Sequence, residues 1–233
     1  MNEKLLFSFL DAHYFSPKAL EILKRAQDLV RLGEFAGQPI GGMVNRVNAA
    51  LCGEGPGTPI ALLCARFDFA TSDFTYVAAG QFALLITGDG SVRTLDAGGR
   101  CLGETRDYTF FEGIEHLEPG DTLIVYNDPF SRELDADTVV EIVRPLVREH
   151  RQAAAIRDAV AREWSRTTRG RCDFNSAASL IFTPSVRPSG AMMFCGLPSF
   201  WEAEQKVLGS LHRRPYWAKD YCYPVVSGGL KAA

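Results

Sequence analysis

Between Ile60 and Asn127 the sequence repeatedly breaks short apolar runs with turn signals, and few folds accommodate that pattern. Ile60–Phe69, Phe74–Ala79 and Phe82–Thr87 read as successive strands, the first two joined by Thr71-Ser72-Asp73. Gly88-Asp89-Gly90 is a hairpin signal before Ser91–Leu95. Tyr108–His116 and Thr122–Asn127 read as two more strands across the turn tetrad Glu118-Pro119-Gly120-Asp121.

Helical periodicity flanks this block. Lys4–Leu10 reads as a buried strand closed by Asp11, and Ser16 with Pro17 is a helix start. Ala19, Leu20, Leu23, Ala26, Leu29 and Val30 then share one helical face, with Gly33 as the expected stop. A second helix fits Pro39 to Leu51, and GEGPGTP after it is a loop. Ala136–Val143 and Ala153–Trp164 are helical, with Pro145 expected to break or kink the chain between them. Ala178–Phe182 is a last short strand. The order fits an α+β domain of antiparallel sheets with helices packed on their faces.

After Thr183 the composition shifts: Pro184, Pro188, Gly190, Gly196 and Pro198 mark a linker-like stretch. Ser199 and Glu202 form a capping box before Phe200–Leu211, and Tyr216, Trp217, Tyr221 and Tyr223 follow, expected to pack back onto the domain. The expected division is therefore a main domain over 1–183 and an extension over 184–233.

Composition narrows the function classes. Hydrophobic residues make up 46% of the 233, enough for a single core, and the net charge of −3 with no basic stripe argues against a nucleic-acid binder. No run approaches a membrane span, and the N-terminal apolar run is too short for a signal peptide. The six cysteines include no CxxC pair. A reduced, cytoplasmic protein is expected. The four histidines are scattered, and there is no GxSxG elbow, P-loop, HExxH or GxGxxG. Two aspartates stand out at strand ends: Asp11, and Asp128 in LIVYNDP. Such carboxylates suit Mg²⁺ or Mn²⁺ if they converge, and otherwise cap a turn or helix.

A set of short motifs carries a resemblance. Tyr76-Val77, Ala79-Gly80, Asp89-Gly90, Leu102-Gly103, Pro119-Gly120-Asp121, Tyr126, Asp128 and Glu133 fall in one order. Asn45-Arg46-Val47-Asn48-Ala49-Ala50-Leu51 precedes them, and Leu10-Asp11 with Pro17 and Ala19 stands further upstream. This series resembles the sporulation-stage-II-protein-E-like (SpoIIE) branch of the metal-dependent (PPM, type 2C) protein serine/threonine phosphatases. It spans roughly residues 5 to 183.

The resemblance implies a central β-sandwich flanked by helix pairs. It also implies two divalent metals, Mn²⁺ or Mg²⁺, that activate a water to attack the phosphorus of phosphoserine or phosphothreonine. Carried onto this chain, Asp11 is the bridging aspartate, the Ala12 carbonyl a further ligand and Asp128 a second metal carboxylate. The departures are as specific. Ala12-His13-Tyr14-Phe15 replaces a glycine-rich segment, Asn127-Asp128-Pro129 replaces threonine-aspartate-glycine, and Gln81 replaces a histidine. The family's late aspartate pair falls on Ser176 and Ala177, with Asp173 able to substitute only through an insertion. The family's opening strands have no counterpart, so the domain is expected to be N-terminally abbreviated, its edge covered by the 184–233 extension or a homodimer.

Three functions remain in view. The chain is a phosphatase-fold protein, weak or inactive, that binds a phosphoprotein or regulatory protein of the anti-sigma-antagonist type. Alternatively it is an active Mn/Mg-dependent phosphatase of bacterial signalling, or else an unrelated α+β interaction domain.

Overall fold

The computed structural model describes residues 4–12, 16–53, 58–95, 99–168, 177–184 and 189–195. Its strands form two antiparallel sheets, one of four strands in the order β1-β2-β3-β6 and one of five in the order β5-β4-β7-β8-β9. The chain divides into two compact units, and the boundary passes through β4 (Phe82–Ile86) and β5 (Val92–Leu95).

The first unit holds β1 (Lys4–Ala12), α1 (Pro17–Phe35), α2 (Ile40–Cys52), β2 (Ile60–Asp68), β3 (Asp73–Ala79) and β6 (Gly113–His116). Side chains alternate across a strand, so one face of the sheet gathers Leu6, Ala12, Ile60, Leu62, Cys64, Val77 and Ala79. These pack in one core with Ala19, Ile22, Ala26 and Val30 of α1 and Ile40, Met43, Val44, Val47 and Leu51 of α2. The spacing of those helical residues is what the sequence pattern requires of a face laid on a sheet. Ser16 caps α1 as expected, its hydroxyl accepting from the Ala19 N–H at 3.0 Å.

Gly33 does not stop α1. The helix runs to Phe35, and Gly37, at φ 67°, provides the left-handed turn, its N–H donating to the Glu34 carbonyl. Gly33 is small for packing: a Cβ there would lie 2.5 Å from Met43 Cγ. Asp11 does not close β1 either. It sits inside the ladder opposite Ala61, and the strand continues to Ala12.

Tyr108–His116 is a strand only over its last four residues. The chain from 103 to 112 runs irregularly because side chains of α2 take its backbone hydrogen bonds (below).

The second unit holds β7 (Thr122–Tyr126), α3 (Asp128–Ser131), α4 (Ala136–Arg148), α5 (Ala153–Thr168), β8 (Ala177–Thr183) and β9 (Ser189–Cys195). Its buried apolar residues include Leu123, Val125, Phe130, Val139, Val143, Ile156, Val160 and Trp164, and the Phe130 ring lies 5.3 Å from Tyr126 and stacks on Trp164 at 5.0 Å. Pro145 lies within α4 and does not break it. It removes one N–H in the last turn, while its own carbonyl still accepts from Glu149. The hairpin signal at 88–90 is realised through Asp89. Its carboxylate accepts from the Thr87 hydroxyl at 2.6 Å and the Ser91 N–H at 2.8 Å, bonds that hold it well below the usual range, at about 2.

β9 falls in the stretch that reads as linker-like, and it pairs with β8 over seven residues. Residues 54–57 of the loop after α2, the Ser199–Glu202 capping box, Phe200–Leu211 and the four later aromatics lie outside the described residues. No described helix is long and apolar enough to cross a membrane.

Candidate functional site

The Asp11 side chain shares a sheet face with Phe7 and Phe9, opposite the face that α1 and α2 cover. Its β2 neighbours on that face are Ala61 and Leu63. Asp11 is 9% exposed, the most buried acid among the described residues of the first unit. A carboxylate this enclosed needs polar or cationic company, which distinguishes it from the solvated acids elsewhere on the chain.

The ladder also orients Ala12. Ile60 exchanges both backbone hydrogen bonds with Leu102, at 3.1 and 2.8 Å. In an antiparallel ladder, residues bond alternately to one side and the other, so the Ala12–Ile60 pair is the wide, unbonded kind. The Ala12 carbonyl therefore points away from β2, off the outer edge of β1.

Asp128 belongs to the second unit and is the first residue of α3, not the end of β7. The sequence explains the correction. Asn127 is buried and acts as the cap, its side-chain oxygen accepting from the Phe130 N–H at 3.2 Å and its carbonyl accepting from Phe130 and Ser131. Pro129 follows with its backbone already set for a helix. The Asn127-Asp128-Pro129 departure thus encodes a helical turn at this point. Asp173 and Ser176 lie outside the described residues.

Mg²⁺ and Mn²⁺ take about six oxygen ligands. Among the described residues no group of three or more His, Cys, Asp or Glu is placed to hold a metal ion. The donors described at the Asp11 position are one buried carboxylate and one strand-end carbonyl. These two donors alone do not fit a pair of divalent ions.

The first unit also holds a polar clamp built by two residues that the motif series contains but to which it gives no role. Asn45 and Asn48, three apart on α2, clamp the backbone of residues 103–110. Asn45 donates to the Phe110 carbonyl at 3.0 Å and accepts from the Phe110 N–H at 2.8 Å. Asn48, 1% exposed, donates to the Thr105 carbonyl at 2.9 Å and accepts from the Gly103 N–H at 2.9 Å. Glu112 adds a carboxylate that accepts from the Gly41 N–H at 2.7 Å, at the start of α2. The signal was present as N-x-x-N on one face of a predicted helix.

A charged cluster surrounds the α1–α2 connection. Arg66 of β2 donates to the Gln38 carbonyl at 3.2 Å, and Arg46 donates to the Gln38 side chain. Burial raises the Glu34 carboxyl from its ordinary 4.5 to about 7, with Arg66 opposing the rise. Cys64 beneath is pushed up to about 12, again by burial.

Comparison with known proteins places these features. Residues 17–173 match the family described as stage II sporulation protein E (SpoIIE), and the chain belongs to that family. No curated protein sequence matches the chain significantly. Among solved structures, the RsbU and RsbW domains of a Mycobacterium tuberculosis protein superpose with a TM-score of 0.62 at 20% identity, over 85% of this chain and 54% of that one. This chain therefore spans about half the length of that relative. The SiaA-PP2C domain of Pseudomonas aeruginosa gives 0.67 at 12% identity, over 77% and 76%. RsbX in complex with magnesium gives 0.57 at 17% identity, over 77% and 80%. The mixed helix and sheet architecture is thus the PP2C-like fold, and the expectation of an unrelated α+β interaction domain is overturned by the family match. Asp11 lies upstream of the matched residues.

Proposed function

We propose that this PPM-type phosphatase-like chain acts in bacterial signalling by binding a regulatory protein or phosphoprotein of the anti-sigma-antagonist kind, with weak hydrolysis or none. The donor set carries this reading. Asp11 is a buried carboxylate, but the segment after it is Ala12-His13-Tyr14-Phe15 where the family has glycines. Asn127-Asp128-Pro129 is turned into a capped helix start, and the late aspartate pair falls on Ser176 and Ala177. In-line attack on phosphorus needs two metals held in fixed relation to water and leaving group, and a short ligand set leaves them mobile or unbound. The RsbW domain that accompanies RsbU in one structural relative supports a protein as the bound partner.

A second reading, an active Mn²⁺- or Mg²⁺-dependent phosphoserine/phosphothreonine phosphatase, draws on the burial of Asp11 and the outward carbonyl of Ala12. It would enlist Asp128 and Asp173 as further ligands. The two separate in one experiment. Hydrolysis of p-nitrophenyl phosphate and a phosphoserine peptide is followed with and without Mn²⁺ in wild type, Asp11→Asn and Asp128→Asn. The binding reading expects all three to give the same low rate. Strong Mn²⁺-dependent turnover that Asp11→Asn abolishes would replace it with the second.

A further inference from the structure

The chain carries −3 overall, yet residues 104–118 alone carry five acids and one arginine, a net −4. The rest of the chain is close to neutral, so its acidity is concentrated on one segment. That segment also holds two of the four large exposed hydrophobics among the described residues, Phe111 at 81% and Ile114 at 68% exposure. It ends in β6, the terminal strand of its sheet, which pairs with β3 alone among the described strands.

The backbone of β6 is oriented for a further strand. Leu117 donates to the Ser72 carbonyl at 2.9 Å, which fixes the alternation on this side of the ladder. Gly113, Glu115 and Leu117 then direct their backbone groups toward β3, while Ile114 and His116 direct their N–H and C=O groups outward. An exposed strand edge is usually blunted or used. Here it is held in place: Asn45, Asn48 and the Gly41–Glu112 bond fix the chain leading into it. A partner would not have to order that chain on binding.

We propose that the β6 edge, with Phe111 and Ile114, is a docking site for an extended protein segment bearing alternating apolar and basic residues, which adds to the sheet as a fifth strand. Ile114 and His116 share one face and Gly113 and Glu115 the other, so apolar residues of the incoming segment meet Ile114 while lysines or arginines meet Glu115. A second copy is the poorer occupant, because it would set one acidic segment against another. The inference stands whether or not the protein hydrolyses phosphate.

The test uses a labelled eight-residue peptide alternating Lys and Val, a Glu-for-Lys counterpart, and a Lys peptide N-methylated at alternate residues. Binding to the full chain is read by fluorescence anisotropy and by amide NMR shifts. The Lys peptide is expected to bind at least tenfold more tightly than either control, more weakly as salt rises, with the largest shifts at Ile114 and His116. The double variant Phe111→Ser/Ile114→Lys, with an unchanged circular dichroism spectrum and melt, is expected to lose at least fivefold. Equal binding of the Lys and Glu peptides, full binding by the double variant, or shifts centred elsewhere would overturn the proposal. So would a dimer in sedimentation that the double variant dissolves, since the occupant would then be a second copy.

Discussion

Replacing Glu34 by Gln is expected to stabilise the protein above neutral pH and to do little in acid. In the folded chain burial raises this carboxyl from 4.5 to about 7, against the pull of Arg66. A raised carboxyl pKa means that the folded state holds the proton more tightly than the unfolded state. The stabilisation is complete below pH 4.5 and is lost as pH rises through 7. The interval corresponds to an upper limit of about 3 kcal/mol, and solvent reaching the half-buried group reduces that to about 1–2 kcal/mol. Glutamine carries no charge, so Glu34→Gln escapes the loss. Urea denaturation of both proteins at pH 5 and pH 8 measures it: the stability difference, variant minus wild type, should grow by about 1–2 kcal/mol between the two. A difference that stays constant would show that Arg66 and water compensate the charge fully, and the burial argument would be wrong.

Other perturbations follow from the same structure. Asn48→Ala removes the partner of the Gly103 N–H and the Thr105 carbonyl and should cost about 2–3 kcal/mol in urea denaturation, with faster amide exchange along 103–110. Phe9→Ala, at a fully buried position of β1, should cost about 3–5 kcal/mol by thermal or urea melting. Gly80→Ala should cost about 2–4 kcal/mol, because Gly80 has φ 62° and its missing Cβ leaves room for Cys101 Sγ; unchanged stability would refute that account. Ser16→Ala should cost about 1 kcal/mol through the lost cap of α1.

The elements most legible in the sequence are those set by local rules. Ser16-Pro17 starts α1, the apolar runs Ile60–Phe69 and Phe74–Ala79 give β2 and β3, and Pro119-Gly120 turns the chain into β7. What local rules could not supply came from tertiary partners. Tyr108–Phe110 has strand-like residues, but Asn45 and Asn48 occupy its backbone groups. Pro145 is a breaker by rule, yet it falls where α4 is nearly finished and only one bond is lost. The β9 residues Ser189–Cys195 sit among prolines and glycines, and pairing with β8 makes them a strand. The family was legible because its motifs are turns and strand ends, which the backbone itself demands. The site was less so. Asp11 stands where a carboxylate is buried, whereas the role of Asp128 depended on Asn127 and Pro129 beside it, whose helix-starting chemistry outweighed the strand-end reading.

The amides of Asn45 and Asn48 touch only main-chain atoms of the segment they hold. Such a bracket is blind to side-chain identity. Tyr108 and Phe110 are anchored in the core, but the residues between and beside them can change substituents while the path of the chain stays put, provided Gly103 keeps its φ of 82°. Two asparagines on one helix thereby separate the course of a surface loop from its chemistry. Related chains that retain both would be free to present different faces on the same mount.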